Sequence, residues 1–233
     1  TGTVNAMYRL GDSMVVRLPF VPDPTGINFE AEWLPKIARG LDVAIPSVLA
    51  IGEPTSAYPL PWLVLNWLGD NTVTPGRLEN ADGLASDLAA FITDMRRLDP
   101  TGAPAGYRCG SLHPLDSEVR KCLSQVGDLV NVPELLLLWQ RAVDAHPWAG
   151  APVWAHCDLL SGNVLASDGR LSGILDFAAA GVGDPACDLM AGWSMLPADS
   201  REIFRERLAI DDDEWDRGRG WALSQAVIAL PYY

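Results

Sequence analysis

The chain has 233 residues, thirty acidic against seventeen basic, and a formal net charge of −13 at pH 7. That charge disfavours nucleic acid and anionic membrane as partners, since both would be repelled, and suits a cationic small molecule. With 48% hydrophobic and 20% charged residues the chain reads as packed and globular rather than disordered. No apolar run approaches the roughly eighteen residues of a membrane span. No signal peptide reads at the start, so a cytoplasmic location is expected. The chain opens on Thr1-Gly2-Thr3 and stops at Leu230-Pro231-Tyr232-Tyr233, and both ends read as trimmed.

Val4, Ala6, Tyr8 and Leu10 alternate with Asn5, Met7 and Arg9, the period of two of a strand. Gly11-Asp12 turns the chain into a second strand, Ser13 to Leu18, which Pro19, Pro22 and Pro24 end. A helix follows with Phe29, Trp33, Leu34, Ile37 and Leu41 on one stripe and Gly40 near its end. Val48 to Ile51 and Trp62 to Trp67 are two further strands. Sheet, helix and sheet again predict a small α+β lobe over residues 1–68.

After Gly69-Asp70 the pattern turns helical, predicting a larger, mainly helical lobe over residues 69–233. Asn80 is the expected N-cap of a helix carrying Leu84, Leu88, Phe91, Met95 and Leu98. Pro100 to Gly110 reads as a loop. Val119, Cys122, Leu123, Val126 and Val130 predict a second helix, and Leu135 to Val143 a third. Short strands are expected within 153–176, and helices over 186–196, 200–208 and 212–230. The acid run Asp211-Asp212-Asp213-Glu214 reads as the N-terminus of the last helix, where the dipole favours negative charge, or as the lining of a cation-binding site. Trp215 and Trp221 are candidates to wall a ligand cleft.

The chemistry concentrates in His156-Cys157-Asp158-Leu159-Leu160-Ser161-Gly162-Asn163, with Asp176-Phe177 thirteen residues after Asn163. This is the spacing H-x-D-L-x-x-x-N followed by D-F of phosphoryl-transfer loops. Such a transfer needs a carboxylate to orient and deprotonate the acceptor hydroxyl, and oxygen ligands to hold Mg²⁺ on a triphosphate. Asp158 is the candidate base, and Asn163 and Asp176 are the candidate metal ligands. Between the ligands, Asp168-Gly169 flanked by apolar runs predicts a hairpin that returns Asp176 to the level of Asn163. An ordinary surface hairpin with Asn and Asp as turn residues is the alternative.

The cysteines, at 109, 122, 157 and 187, include no C-x-x-C pair and read as reduced thiols. A zinc site from His156, Cys157, Asp158 and Cys187 is disfavoured, because adjacent residues rarely converge on one ion. A hydrolase centred on Cys157 and His156 is disfavoured for the same reason.

On these motifs the chain resembles the aminoglycoside phosphotransferase family, small-molecule kinases of the two-lobed protein-kinase-like fold. The resemblance runs through Gly2-Thr3-x-Asn5, Val15-Val16-Arg17-Leu18-Pro19, Glu30-x-x-Trp33-Leu34-Pro35, the loop around Asp158, Ile174-Leu175-Asp176-Phe177, and Gly183-Asp184-Pro185-Ala186-x-Asp188-Leu189. It implies that Gly2, Thr3 and Asn5 cover the nucleotide phosphates. Arg17 would hold them, with Glu30 as its partner and Glu32 as the alternative register. Backbone groups of Leu65, Asn66 and Trp67 would meet the adenine. It implies a structural His156, and Asp184 and Asp188 bonded to backbone around the site.

Three positions depart from the family pattern. Cys157 stands where Gly is frequent, Leu160-Ser161 where His-Pro is frequent, and Arg17 where Lys is frequent. The implied reaction moves the γ-phosphate of ATP or GTP, with Mg²⁺, to a hydroxyl of a small, amine-bearing acceptor, an aminoglycoside or a macrolide. A catalytically weak nucleotide-binding pseudokinase, or a kinase of a small metabolite such as choline, a sugar or homoserine, is the alternative. The presence of Asp158, Asn163 and Asp176 together favours the enzyme.

Overall fold

β1 (Asn5–Leu10) and β2 (Met14–Pro19) form the expected antiparallel hairpin. The computed structural model describes residues 5–22, 24–126 and 129–230. β3 (Val48–Gly52) and β4 (Trp62–Asn66) complete a four-stranded antiparallel sheet in the order β1-β2-β4-β3. β1 lies at its edge. Ala6 is buried as its alternation predicts, but Tyr8 and Leu10 are exposed, because no element covers the far half of that edge strand.

In β2 the alternation is strict: Val15 and Arg17 turn to the covered face, where Val15, Ile27, Leu63 and Leu65 form a small apolar cluster. α1 (Pro24–Ile37) lies over that face and ends at Ile37 in a 3-10 turn over Ala38–Gly40, so Leu41 falls beyond the helix. Trp33 and Phe29 on α1 pack at 5.2 and 6.4 Å on Trp154, and Trp33, Leu34 and Ile37 join the core of the helical part. α1 therefore fixes the sheet to the rest of the molecule, which makes the position of its Glu30 a property of both parts.

α2 (Ala81–Arg97) starts as predicted. The Asn80 side chain accepts a hydrogen bond from the Gly83 amide at 2.9 Å, and Leu84, Leu88, Phe91 and Met95 are buried. α3 (Asp116–Gln125) stops short of the predicted Val130; Val126 leaves helical geometry at φ −112°, ψ 21°. α4 (Val132–Asp144) packs with α3 and α7 (Asp212–Ala229) around a second core that holds Trp139 and Trp221. The helix predicted over 186–196 is a 3-10 run, Pro185–Met190, followed by the single turn α5 (Ala191–Ser194). α6 (Ala198–Leu208) packs on α2.

Two small ribbons carry the functional loops. β6 (Val164–Ser167) and β7 (Arg170–Ile174) form the hairpin predicted around Asp168-Gly169, and both residues take the positive φ (52° and 69°) that a two-residue turn of this hand requires. β5 (Val153–Ala155) pairs with β8 (Gly181–Gly183), a strand the sequence conceals because two of its three residues are glycine. Packing demands both of them: a Cβ on Gly181 would lie 2.5 Å from the Gly106 backbone nitrogen, and one on Gly183 2.4 Å from the Cys109 backbone oxygen. Among the described residues no helix is long and apolar enough to cross a membrane.

Candidate active site

One cavity of about 340 Å³ lies between the sheet and the β6–β7 hairpin. Asn5, Arg17 and Glu30 line it from β1, β2 and α1. Leu65, Asn66 and Trp67 line it from the end of β4, and Asn163 and Asp176 from the two ends of the hairpin segment. Residues as distant in the chain as Asn5 and Asp176 are thus brought to one place. Gly2 and Thr3 lie outside the described residues.

The Arg17 guanidinium makes a two-pronged ion pair with Glu30: Nη1 donates to Oε1 at 3.0 Å and Nη2 to Oε2. Both residues are buried, at 6% and 2% exposure, which removes the water that would otherwise screen the pair. Glu32, the alternative register, is exposed and pairs with Lys36 instead. The buried Arg17 Nε–H has no partner among the described residues. At the end of β4 two of the expected backbone groups are already engaged. The amides of Asn66 and Trp67 already donate to Ser47 O (3.2 Å) and Ser13 O (2.7 Å), so these N–H groups are not free for a base. Leu68 and Gly69, next along, line the same cavity.

Asn163 donates its amide nitrogen to Asp158 twice, to the backbone oxygen and to Oδ2, both at 2.9 Å. Its side-chain oxygen is the atom left for another ligand. Leu175 N–H donates to Asn163 O at 2.8 Å, which holds Asp176 level with Asn163 as the hairpin predicts. Asp176 sits at φ 59°, ψ 72°, a left-handed conformation unfavourable for a residue with a Cβ and typical of functional loops.

His156 is fully buried between Phe91 and Phe177. Its Nε2–H donates to Leu175 O at 2.9 Å and its Nδ1 accepts from the Asp158 amide at 3.3 Å. Burial holds its pKa below the usual imidazole value, so the neutral ring braces the loop. Asp188 clamps the same loop from behind: its two carboxylate oxygens accept from the His156 and Cys157 amides, both at 2.8 Å. Complete burial pushes its pKa up to about 7. Asp184 accepts from the Ala186 amide at 3.0 Å and from Arg217 at 2.7 Å, away from Asp158.

Arg108 carries no signal of a role in the sequence. From the loop that reads only as Pro- and Gly-rich, its Nη1 donates to Asp158 Oδ1 at 2.7 Å and to Cys157 O at 2.8 Å. The partners are fifty residues apart, and no local pattern encodes such a pairing. Asp158 is thus held at both oxygens, by Arg108 and by Asn163, in a fixed orientation.

The acids expected to face a cation are spoken for. Asp211 caps α7 by accepting from the Glu214 amide at 2.7 Å. Asp212 pairs with Arg205, Asp213 with His146, Glu214 with Arg96, and Asp216 with Arg141 and Arg219. Trp215 and Trp221 are both core residues, and Trp215 also lines a second cavity of about 760 Å³ that reaches the loop of Asp158 at Leu160.

A sheet-bearing N-terminal part, a helical C-terminal part and a cavity between them lined by an ion pair and a carboxylate–amide pair define a two-lobed, kinase-like phosphotransferase. The chain belongs to the phosphotransferase enzyme family, whose model matches residues 1–221. Among solved structures, one described as the GDP and kanamycin complex of an aminoglycoside (2″) phosphotransferase IIIa matches at TM-score 0.73 and 20% identity, over 100% of this chain and 84% of that one. The GDP complex of a wild-type aminoglycoside 2′-phosphotransferase IIIa matches at TM-score 0.72 and 18% identity, over 100% and 84%. The macrolide 2′-phosphotransferase of Brachybacterium faecium, an apoenzyme, matches at 0.63 and 21%, over 100% and 86%. No curated protein matches the chain in sequence.

Proposed function

We propose that the chain transfers the γ-phosphoryl group of ATP or GTP to a hydroxyl of a small, amine-bearing molecule. Residues 1–68 act as the nucleotide lobe and 69–233 as the catalytic and acceptor lobe. The observation that carries this reading is the single cavity shared by Arg17, Glu30, Asn163 and Asp176, with Asp158 bonded directly to Asn163. The unpartnered Arg17 Nε–H is a buried donor whose desolvation a phosphate oxygen would offset. Asn5 lines the same space from β1. The purine would lie against the segment from Leu65 to Gly69, where the engaged amides of Asn66 and Trp67 leave the base to other backbone groups. That two structurally similar enzymes were solved as GDP complexes supports keeping GTP beside ATP as a donor.

Mg²⁺ fits the residues present. A carboxylate and an amide oxygen are hard ligands, both line one cavity, and the Asn163 nitrogen is already committed to Asp158. Bound there, the ion would neutralise charge on the phosphates. Asp158 accepts the proton of the acceptor hydroxyl, and Arg108 and Asn163 keep its carboxylate aimed. Replacing Asp176 by alanine is expected to weaken nucleotide binding in the presence of Mg²⁺ and to flatten its Mg²⁺ dependence. Titrating a fluorescent nucleotide at several Mg²⁺ concentrations measures both, and an unchanged curve would refute the ligand role.

The acceptor is read from the 760 Å³ cavity beside Leu160. Leu135, Leu138, Trp193 and Trp215 give it an apolar wall, and Glu134 and Glu202 stand against Arg201 and Arg219. With the acid run of α7 already paired, that wall favours a part-apolar amine of the macrolide class over an aminoglycoside. Across a panel of macrolides, aminoglycosides and small alcohols, the lowest KM is expected for a macrolide. It should change little with salt, since an apolar contact, unlike an attraction between exposed charges, is not screened by salt. An aminoglycoside with the lowest KM and a steep salt dependence would overturn this choice and leave the kinase reading intact.

A further inference from the structure

The thiols of Cys109, Cys157 and Cys187 converge from three separate segments: the loop ahead of α3, the catalytic loop, and the 3-10 run after β8. Their sulfurs stand 3.0 Å (109 to 157), 3.8 Å (157 to 187) and 3.9 Å (109 to 187) apart, and all three are free thiols. Metal–sulfur bonds of about 2.3 Å in a tetrahedral or trigonal set place ligand sulfurs ~3.8–4.0 Å apart. Two of the three separations already meet that geometry. The third needs an opening of roughly 0.8 Å, at the one cysteine of the set that is only partly buried.

Apolar packing alone does not explain the arrangement. Cys157 holds φ +65°, a left-handed conformation that favours glycine, so a side chain is kept there against its backbone preference. Glycines make the room: a Cβ on Gly106 would come within 2.5 Å of the Cys109 sulfur and 2.6 Å of the Cys157 sulfur. A cation stands by, because Arg108 precedes Cys109 and donates to Cys157 O. His156 and Asp158, the residues the sequence offers beside Cys157, point elsewhere, to Leu175 and to Arg108 and Asn163. A cavity of about 360 Å³ bordered by Cys109, Ser111, His113 and Asp184 gives a route in from the surface.

We propose that Cys109, Cys157 and Cys187 form a thiolate site for a soft metal ion, Zn²⁺ or Cu⁺, directly behind the catalytic loop. Soft sulfur ligands select these ions over Mg²⁺, so the site does not compete with the oxygen ligands of the nucleotide cavity. Three thiolates suffice for Cu⁺. Zn²⁺ takes a fourth ligand, and no fourth Cys or His belongs to the cluster among the described residues, so water from the adjoining cavity would supply it. Occupancy would tie the residue preceding Asp158 to two segments outside its own loop.

The test uses the full, reduced chain under oxygen-free conditions, titrated separately with Zn²⁺, Cu⁺ and, as an optical probe, Cd²⁺. One equivalent of metal is expected, with a sulfur-to-metal charge-transfer absorption for Cd²⁺. A zinc-only or copper-only result assigns the native ion. Cys109→Ser is expected to lower affinity by at least about tenfold, the smallest loss seen when even an outer partner of a metal site is removed. Cys122→Ser, buried outside the cluster, should bind as the parent does. Circular dichroism confirms that each variant is folded, and protection of Cys109 from alkylation by bound metal gives a readout on the unmutated chain. No charge-transfer band, or a band that survives Cys109→Ser unchanged, would each overturn the proposal.

Discussion

Asp158→Asn is expected to lower kcat by about two to four orders of magnitude, the range a positioned general base contributes, while nucleotide affinity stays near that of the parent. The carboxylate is held by Arg108 at 2.7 Å and Asn163 at 2.9 Å, so its orientation is set before any acceptor arrives. An amide in its place keeps the shape but cannot take the proton, and it gives up the charged bond to Arg108. Asp158 does not line the nucleotide cavity, which is why binding should survive. Steady-state turnover beside a nucleotide titration separates the two effects. Turnover within a few-fold of the parent would remove Asp158 from the chemistry.

Glu30→Ala is expected to destabilise the fold by about 3–5 kcal/mol, the usual result of leaving one member of a buried ion pair uncompensated. Arg17 and Glu30 are 6% and 2% exposed, and Arg17 has Leu63 opposite it across the sheet, so its charge has no water to turn to. The double variant Arg17→Met/Glu30→Leu should recover most of that loss, because an apolar pair of similar volume avoids the desolvation cost. Nucleotide KM should stay high in the double variant, since the phosphate-facing cation is gone. Urea unfolding read beside nucleotide KM distinguishes structural from functional contributions. A double variant with normal KM would show that Arg17 serves the fold alone.

Much of the site is legible in the chain because its signals are local. The spacing from His156 to Asn163 and the Asp168-Gly169 turn lie within one supersecondary unit, and the turn requires only that two residues accept positive φ. The Asn80 and Asp211 caps are likewise bonds between residues three apart. The small sheet could be read from its alternation, except on the uncovered half of β1, where burial depends on what lies above the strand.

What the sequence alone determined, then, is which groups are candidates for the chemistry: Asp158 as a base, Asn163 and Asp176 as oxygen ligands and Arg17 as a basic residue on a strand, each announced by neighbours. Only the tertiary structure decided which groups meet. It chose Glu30 over Glu32, set Arg108 against Asp158, turned Asp188 onto the amides of the catalytic loop, and drew three thiols together behind it. Each of these partners is separated from the other by thirteen to fifty residues or more along the chain. Local propensity carries no information over such distances. They are settled by burial, which removes water from a charged or polar group and leaves it stable only where the packed chain supplies the missing partner.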